Sequence, residues 1–212
     1  MYIKTILFIF LLGSVNAHSV NFIEINTEFL WDSLAPHEGR IIKKSNAPTE
    51  KEYMAELDYY VGLIRSQKAD VVGLTEIEGC HVSKKLASKL GNGWVSVCEK
   101  GRDTFTGQDV AILTTLEVLA GTVDNHKMSH SYISSGKKKG KLVRPSKALT
   151  VLLKNNSKTY MVTVAHLISR RGDNDGKRHA QAEAIKDAMN VKARRGKIDY
   201  QVIMGDINDY SN

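Results

Sequence analysis

Apolar positions along this chain fall mostly in short runs of four to eight, with spacing of three and four confined to a few stretches. Val20–Asn26 alternates in polarity and is rich in β-formers, which predicts a strand. Pro36–Pro48 carries prolines, a glycine and basic residues, and reads as a loop. Thr49–Gln67 places Tyr53, Leu57, Tyr60 and Ile64 at helical spacing, with Thr49 as N-cap and Glu52 three residues on. Asp70–Thr75 is a buried β-run and completes a strand–helix–strand opening. Val82–Leu90 reads as a short helix, and Trp94–Cys98, Val110–Leu113 and Val118–Ala120 as strands. Asn125–Lys141 is polar. Ala148–Lys154 and Thr159–Ala165 form two strands joined at Asn155-Asn156-Ser157, the composition of a hairpin turn. Lys177–Arg195 is a helix with Ala180, Ala184, Ile185 and Ala188 on its inner face, and Tyr200–Met204 is a final buried strand. No internal repeat or low-complexity tract interrupts this order. Antiparallel hairpins mixed with helical crossovers predict an α/β fold, a two-sheet sandwich flanked by helices.

Composition changes this picture at the N-terminus. Met1–Lys4 carries one positive charge, Thr5–Val15 is almost unbroken apolar sequence, and Val15-Asn16-Ala17 supplies small or modest residues at a cleavage site. Residues 1–17 read as a secretory signal peptide cut after Ala17, against the plainer alternative of a buried first element. The apolar run is too short for a membrane anchor, so the expectation is a secreted or periplasmic protein with its domain at 18–212. Without that segment the formal charge is +6, one lysine fewer than the +7 of the whole chain. A basic exported protein suits polyanionic partners such as nucleic acid. Cys80 and Cys98 either pair as one disulfide or stay a buried thiol pair; their spacing fits no common zinc pattern.

Charge and chemistry gather at predicted strand ends. Asn26 ends the first strand, Glu76 follows Val71–Thr75, His166 follows Val162–Ala165, and Asp206 and Asn208 follow Val202–Met204. A strand end presents rigid side chains to a shared rim. Glu76 and Asp206 are hard oxygen donors suited to Mg²⁺, with Ca²⁺ or Mn²⁺ as alternatives. Asn26 and Asn208 can orient metal-bound water or a phosphate oxygen. His166 can donate a hydrogen bond to a phosphoryl oxygen or move a proton near neutral pH. A divalent cation beside a cationic donor is the arrangement that phosphoryl transfer uses. Taken singly, Glu76 is a solvated charge, His166 a core histidine, and Asp206 with Asn208 an Asx turn. The lysines at 137–141, Lys138 among them, form either a solvated loop or a phosphate contact ahead of Arg144; Arg170 and Arg171 flank the same rim.

Five stretches resemble one family in its order. Asn26-Thr27-Glu28-Phe29-Leu30-Trp31-Asp32 is similar to the Asn-x-Glu-Asn-Leu-Phe-Asp opening of bacterial endonuclease/exonuclease/phosphatase proteins. Asp70-Val71-Val72-Gly73-Leu74-Thr75-Glu76 resembles their Asp-Ile-Val-x-Leu-Gln-Glu segment, with Thr75 in place of Gln. Asp109-Val110-Ala111-Ile112-Leu113 and Ala165-His166-Leu167-Ile168-Ser169-Arg170-Arg171-Gly172 resemble two more, the latter followed by Arg178, Gln181 and Ala182. Val202-Ile203-Met204-Gly205-Asp206-Ile207-Asn208-Asp209 is similar to Val-x-x-Gly-Asp-Phe-Asn-Asp. The likeness runs from about Asn21 to Tyr210.

The resemblance implies a deoxyribonuclease I-like sandwich and a metal-dependent phosphodiesterase. Glu76 would bind the metal with Asn26 nearby. Asp206 would orient or deprotonate the attacking water, and Asn208 would hold the scissile phosphate. His166 resembles the histidine of the deoxyribonuclease I and sphingomyelinase branches, and Arg144 resembles a phosphate-contacting arginine. One departure stands out: the family pattern continues into a Ser-Asp-His segment on a further strand, and no Asp-His pair follows Asp206 before Asn212. The expectation is therefore a C-terminally incomplete fold with an exposed sheet edge. A nuclease acting on DNA, with RNA an alternative, suits the charge best. A phosphatase or lipid phosphodiesterase of the same superfamily is the nearest rival, although no apolar membrane-inserting hairpin is evident. A non-catalytic nucleic-acid-binding module derived from the fold is the rival from another class. Oligomeric state is left open.

Overall fold

The computed structural model describes residues 19–34, 39–40, 47–132, 140–172 and 174–209. The proposed signal peptide and Lys138 lie outside the described residues, as does most of the 36–48 loop. The described residues begin with β1 (Phe22–Leu30), α1 (Glu50–Ser66) and β2 (Val71–Glu78), β1 and β2 being parallel neighbours. The capping box read at Thr49 is present: Thr49 accepts from the Glu52 N–H, and Glu52 accepts from the Thr49 N–H. Tyr53, Leu57, Tyr60 and Ile64 form the buried stripe of α1 as expected. After α2 (Gly79–Leu90) come β3 (Val95–Cys98), β4 (Gln108–Thr114) and β5 (Glu117–Val118). Cys80 at the start of α2 and Cys98 at the end of β3 form a disulfide with Cα atoms 5.4 Å apart.

The polar segment after Asn125 contains a small ribbon that its composition hides, β6 (His130–Tyr132) paired with β7 (Lys141–Val143). It packs against α3 (Asp175–Ala193), where His130 Nε2 lies 2.6 Å from Asp187 Oδ2. The hairpin β8 (Ala148–Asn155) and β9 (Lys158–Ala165) turns where Asn156 takes a φ of 53°, a left-handed conformation that asparagine tolerates. β10 (Tyr200–Met204) joins β9 in parallel.

Among the described residues two four-stranded sheets result, ordered β1-β2-β4-β3 and β10-β9-β8-β5. Three apolar clusters define the layers. One joins α1 and α2 to β1, β2 and β4; one lies between the sheets, with Val71, Val110 and Ile112 against Leu149, Val151, Val162 and Val164; the third joins Ile185 and Met189 of α3 to Met161 and Ala165. The fold is thus an α/β sandwich with sheets inside and helices outside, as the pattern predicts. A Cβ at Gly73 would lie 2.9 Å from Val164 Cγ2, so glycine lets the two sheets close on each other there.

Three expectations need correction. The first strand does not end at Asn26 but continues to Leu30, and the second runs to Glu78 rather than Thr75. Both carry a bulge, which the alternation of polarity cannot reveal because the extra residue shifts its phase. The last strand is not buried: β10 is an edge strand among the described residues, with Tyr200 and Ile203 exposed. An apolar run reports β propensity, not the number of faces that are covered.

Candidate functional site

The two bulges face each other and create the site. Asn26 pairs with Thr75 and Leu30 with Ile77, so three residues of β1 oppose Glu76 alone. On its other side Thr75 pairs with Val110 and Ile77 with Asp109, leaving Glu76 without a ladder partner. Glu76 takes a φ of 64°, and Glu28 and Phe29 on the facing bulge are also left-handed. Non-glycine residues are held in such conformations only where the surroundings over-determine them. The effect is to turn the Glu76 carboxylate out of the sheet's alternation toward the ends of β9 and β10.

Those ends supply the rest. Gly205 has a φ of 122°, and a Cβ there would lie 2.0 Å from the Ala165 carbonyl oxygen. Only glycine lets the turn after β10 press against the end of β9. The Leu167 N–H then donates to the Asp206 carbonyl at 2.9 Å, and the His166 N–H to the Lys147 carbonyl at 2.8 Å. Asp206 and His166 are fixed by backbone bonds rather than by each other.

Four of the residues expected to carry chemistry converge. Asn26 Nδ2 donates to Asp206 Oδ2 at 3.1 Å and reaches Glu76 Oε1 at 3.4 Å. His166 Nε2 lies 3.7 Å from Glu76 Oε1 and 3.8 Å from Asp206 Oδ2. One ligand atom each from Glu76, His166 and Asp206 lies within 4.8 Å of the others. The donor set fits a hard divalent cation: two carboxylate oxygens and an imidazole nitrogen face one another, with the Asn26 NH₂ between the carboxylates. Nearby, burial pushes Glu24 above the ordinary carboxylate range, against a hydrogen bond from Thr75 and with a smaller push from Asp206.

His166 departs from expectation in its charge. Burial above all, and then the Lys147 ammonium, push it down to about 4 despite the pull of Asp206 and Asp103. It is a neutral imidazole at neutral pH, not the cationic donor that its residue type suggested, and its Nδ1 is buried without a hydrogen-bond partner.

The other expected residues sit nearby without joining the cluster. Asn208 is left-handed, with a φ of 53°. Its N–H donates to Asp206 Oδ1 at 2.8 Å and its Nδ2 to the Leu167 carbonyl at 2.9 Å. The Asx turn is therefore real, and it also braces the Asp206 carboxylate. Arg144 follows β7 with its side chain exposed, and Arg170 is exposed on the loop after His166.

Two buried residues at the site escaped the sequence reading. Gln108 Nε2 donates to Glu76 Oε2 at 2.8 Å, and Lys147 Nζ lies 3.3 Å from Gln108 Oε1 and 3.2 Å from Asp103 Oδ2. The available signal was faint: a glutamine heading the apolar run of β4, and a lysine directly before β8.

No family model matches the sequence, and no curated relative does. Solved structures do match. A β-hairpin deletion mutant of beta toxin from Staphylococcus aureus is 18% identical, covering 92% of this chain and 69% of its own, with a TM-score of 0.55. ANGEL2, described as a 2′,3′-cyclic phosphatase and solved with adenosine-2′,3′-vanadate, is 16% identical over 73% of this chain and 44% of its own, with a TM-score of 0.51. An endonuclease/exonuclease/phosphatase family protein from Bacteroides thetaiotaomicron is 12% identical over 89% of this chain and 63% of its own, with a TM-score of 0.52. The chain thus spans less than two thirds of the length of two of these three. At this identity the likeness is one of fold: the chain has a deoxyribonuclease I-like fold.

Proposed function

We propose that this chain is a secreted, metal-dependent phosphoester hydrolase, and that its substrate is nucleic acid, DNA foremost. The observation that carries the reading is the convergence of Glu76, Asp206, Asn26 and His166 on one point at the end of the sandwich. Glu76 and Asp206 would hold a divalent cation, Mg²⁺ by the hardness of the donors, and when bound it would supply charge neutralisation at the phosphate.

The chain's own groups divide the remaining work. Asp206 Oδ2 faces the centre of the site and would orient the attacking water beside the cation, while Asn208 N–H holds Oδ1 away from it. His166, neutral, offers Nε2 to the phosphate or leaving oxygen without competing with the cation for the carboxylates. Asn208 turns its Nδ2 toward a main-chain oxygen, so in this reading it acts on the phosphate only after exchanging that bond. Arg144, Arg170 and the lysines at 137–141 supply phosphate contacts that carry no base sequence. The formal charge of +6 without residues 1–17 and the likeness in fold to a phosphatase solved with an adenosine analogue both favour nucleic acid over a smaller phosphoester.

Plasmid nicking tests the reading. Mg²⁺ should support conversion of supercoiled to open circular DNA, and chelator or Glu76→Ala should abolish it. Cleavage that survives both refutes the metal site. Retardation of the plasmid without cleavage, in either metal condition, identifies a binding module instead.

A further inference from the structure

Gln108 is 2% exposed and Lys147 7%, and neither belongs to the apolar core. Burying an amide and an ammonium costs free energy unless each polar atom is matched. Here they are matched in one chain of contacts that ends on Glu76. Gln108 Oε1 accepts from Lys147 Nζ at 3.3 Å. Lys147 Nζ also pairs with Asp103 Oδ2 at 3.2 Å, and Asp103 in turn accepts from Thr106 Oγ1. An amide has one oxygen end and one NH₂ end. With the Lys147 ammonium on the oxygen end, the NH₂ end faces Glu76, and it donates to Oε2 at 2.8 Å.

We propose that Gln108 and Lys147 are positioning residues for Glu76, and this rests on the metal-site reading above. The amide fixes Oε2, and by doing so leaves Oε1 as the oxygen turned toward Asn26 and His166. Lys147 decides which end of the amide meets the carboxylate. Were the amide reversed, its oxygen would face a carboxylate oxygen, and Glu76 would swing away to escape the repulsion. Lys147 accepts from the His166 N–H at its own carbonyl, so one residue sets both sides of the site. The bland alternative is that the lysine only staples residues 101–107 to the sheet through Asp103. That role predicts a loss of stability and no change at the carboxylate.

Mn²⁺ binding separates the two. In calorimetric titration of the intact protein with Mn²⁺ alone, Gln108→Met keeps the buried volume and the Lys147–Asp103 pair, and should weaken Mn²⁺ about 10- to 100-fold, the range for groups that orient a metal ligand. Lys147→Met combined with Asp103→Asn removes the staple without stranding a buried charge, and should weaken Mn²⁺ comparably. Lys147→Arg, which keeps a donor for the amide, should restore most of the affinity. Thermal melts of each variant report the fold separately. A wild type that binds Mn²⁺ beside a folded Gln108→Met variant of unchanged affinity overturns the positioning role alone. A wild type that takes up no Mn²⁺ overturns the metal site, and the positioning role falls with it.

Discussion

At Glu76 the backbone conformation and the chemistry pull in opposite directions. A non-glycine residue at a φ of 64° costs roughly 1–2 kcal/mol relative to glycine there. Glu76→Gly should therefore be more stable than Glu76→Ala by about 1 kcal/mol in urea unfolding, although both lose the carboxylate. Equal stabilities would show that the left-handed conformation stores no strain. Gly205 makes the complementary case: Gly205→Ala drives a methyl into the Ala165 carbonyl, and should lower stability by about 3 kcal/mol while dislodging Asp206. The four converging side chains were legible in sequence because each sits at or near the end of an apolar run. Gln108 and Lys147 were not, since a lone buried polar residue reveals its partner only once strand register is known.

Helices were easier to read than strands. The α1 capping box and its buried stripe follow from spacing within a single turn or two, and Thr49→Ala should cost about 1 kcal/mol by thermal melting. The bulges of β1 and β2 depend on which strands become neighbours, and the β6–β7 ribbon depends on α3 to pack against, so neither leaves a local signature. The Cys80–Cys98 disulfide is likewise a matter of tertiary placement: it closes a sequence separation of 18 residues between α2 and β3. Chain-entropy reasoning gives about 3 kcal/mol for a loop of this length. Cys80→Ser with Cys98→Ser should lower the unfolding free energy by that order, and wild type should fall to the same value under reductant. No difference between oxidised and reduced wild type would mean that the bond is absent in solution.

Over the whole molecule, two buried histidines couple folding to pH. Burial lowers His126 below its ordinary value of 6.5, and burial with Lys147 lowers His166 to about 4. In the unfolded chain both titrate near their ordinary value, so below it the unfolded state binds more protons than the folded state. Stability is full above about pH 6.5 and is lost as pH falls through the lowered folded values. In chelator, urea midpoints should drop between pH 7.5 and 5, and His126→Gln should flatten that slope. An unchanged slope in the variant would remove His126 from this account. Lys147, which adds to burial in lowering His166, is also the lysine that orders Gln108.

The most direct test of the account is where a divalent cation sits. Anomalous diffraction from crystals grown with Mn²⁺ should show one peak on Glu76 Oε1, at about 2.1 Å, on the side facing Asn26 and Asp206. A crystal that shows no peak at Glu76, from a preparation that cleaves DNA in Mn²⁺, would contradict it.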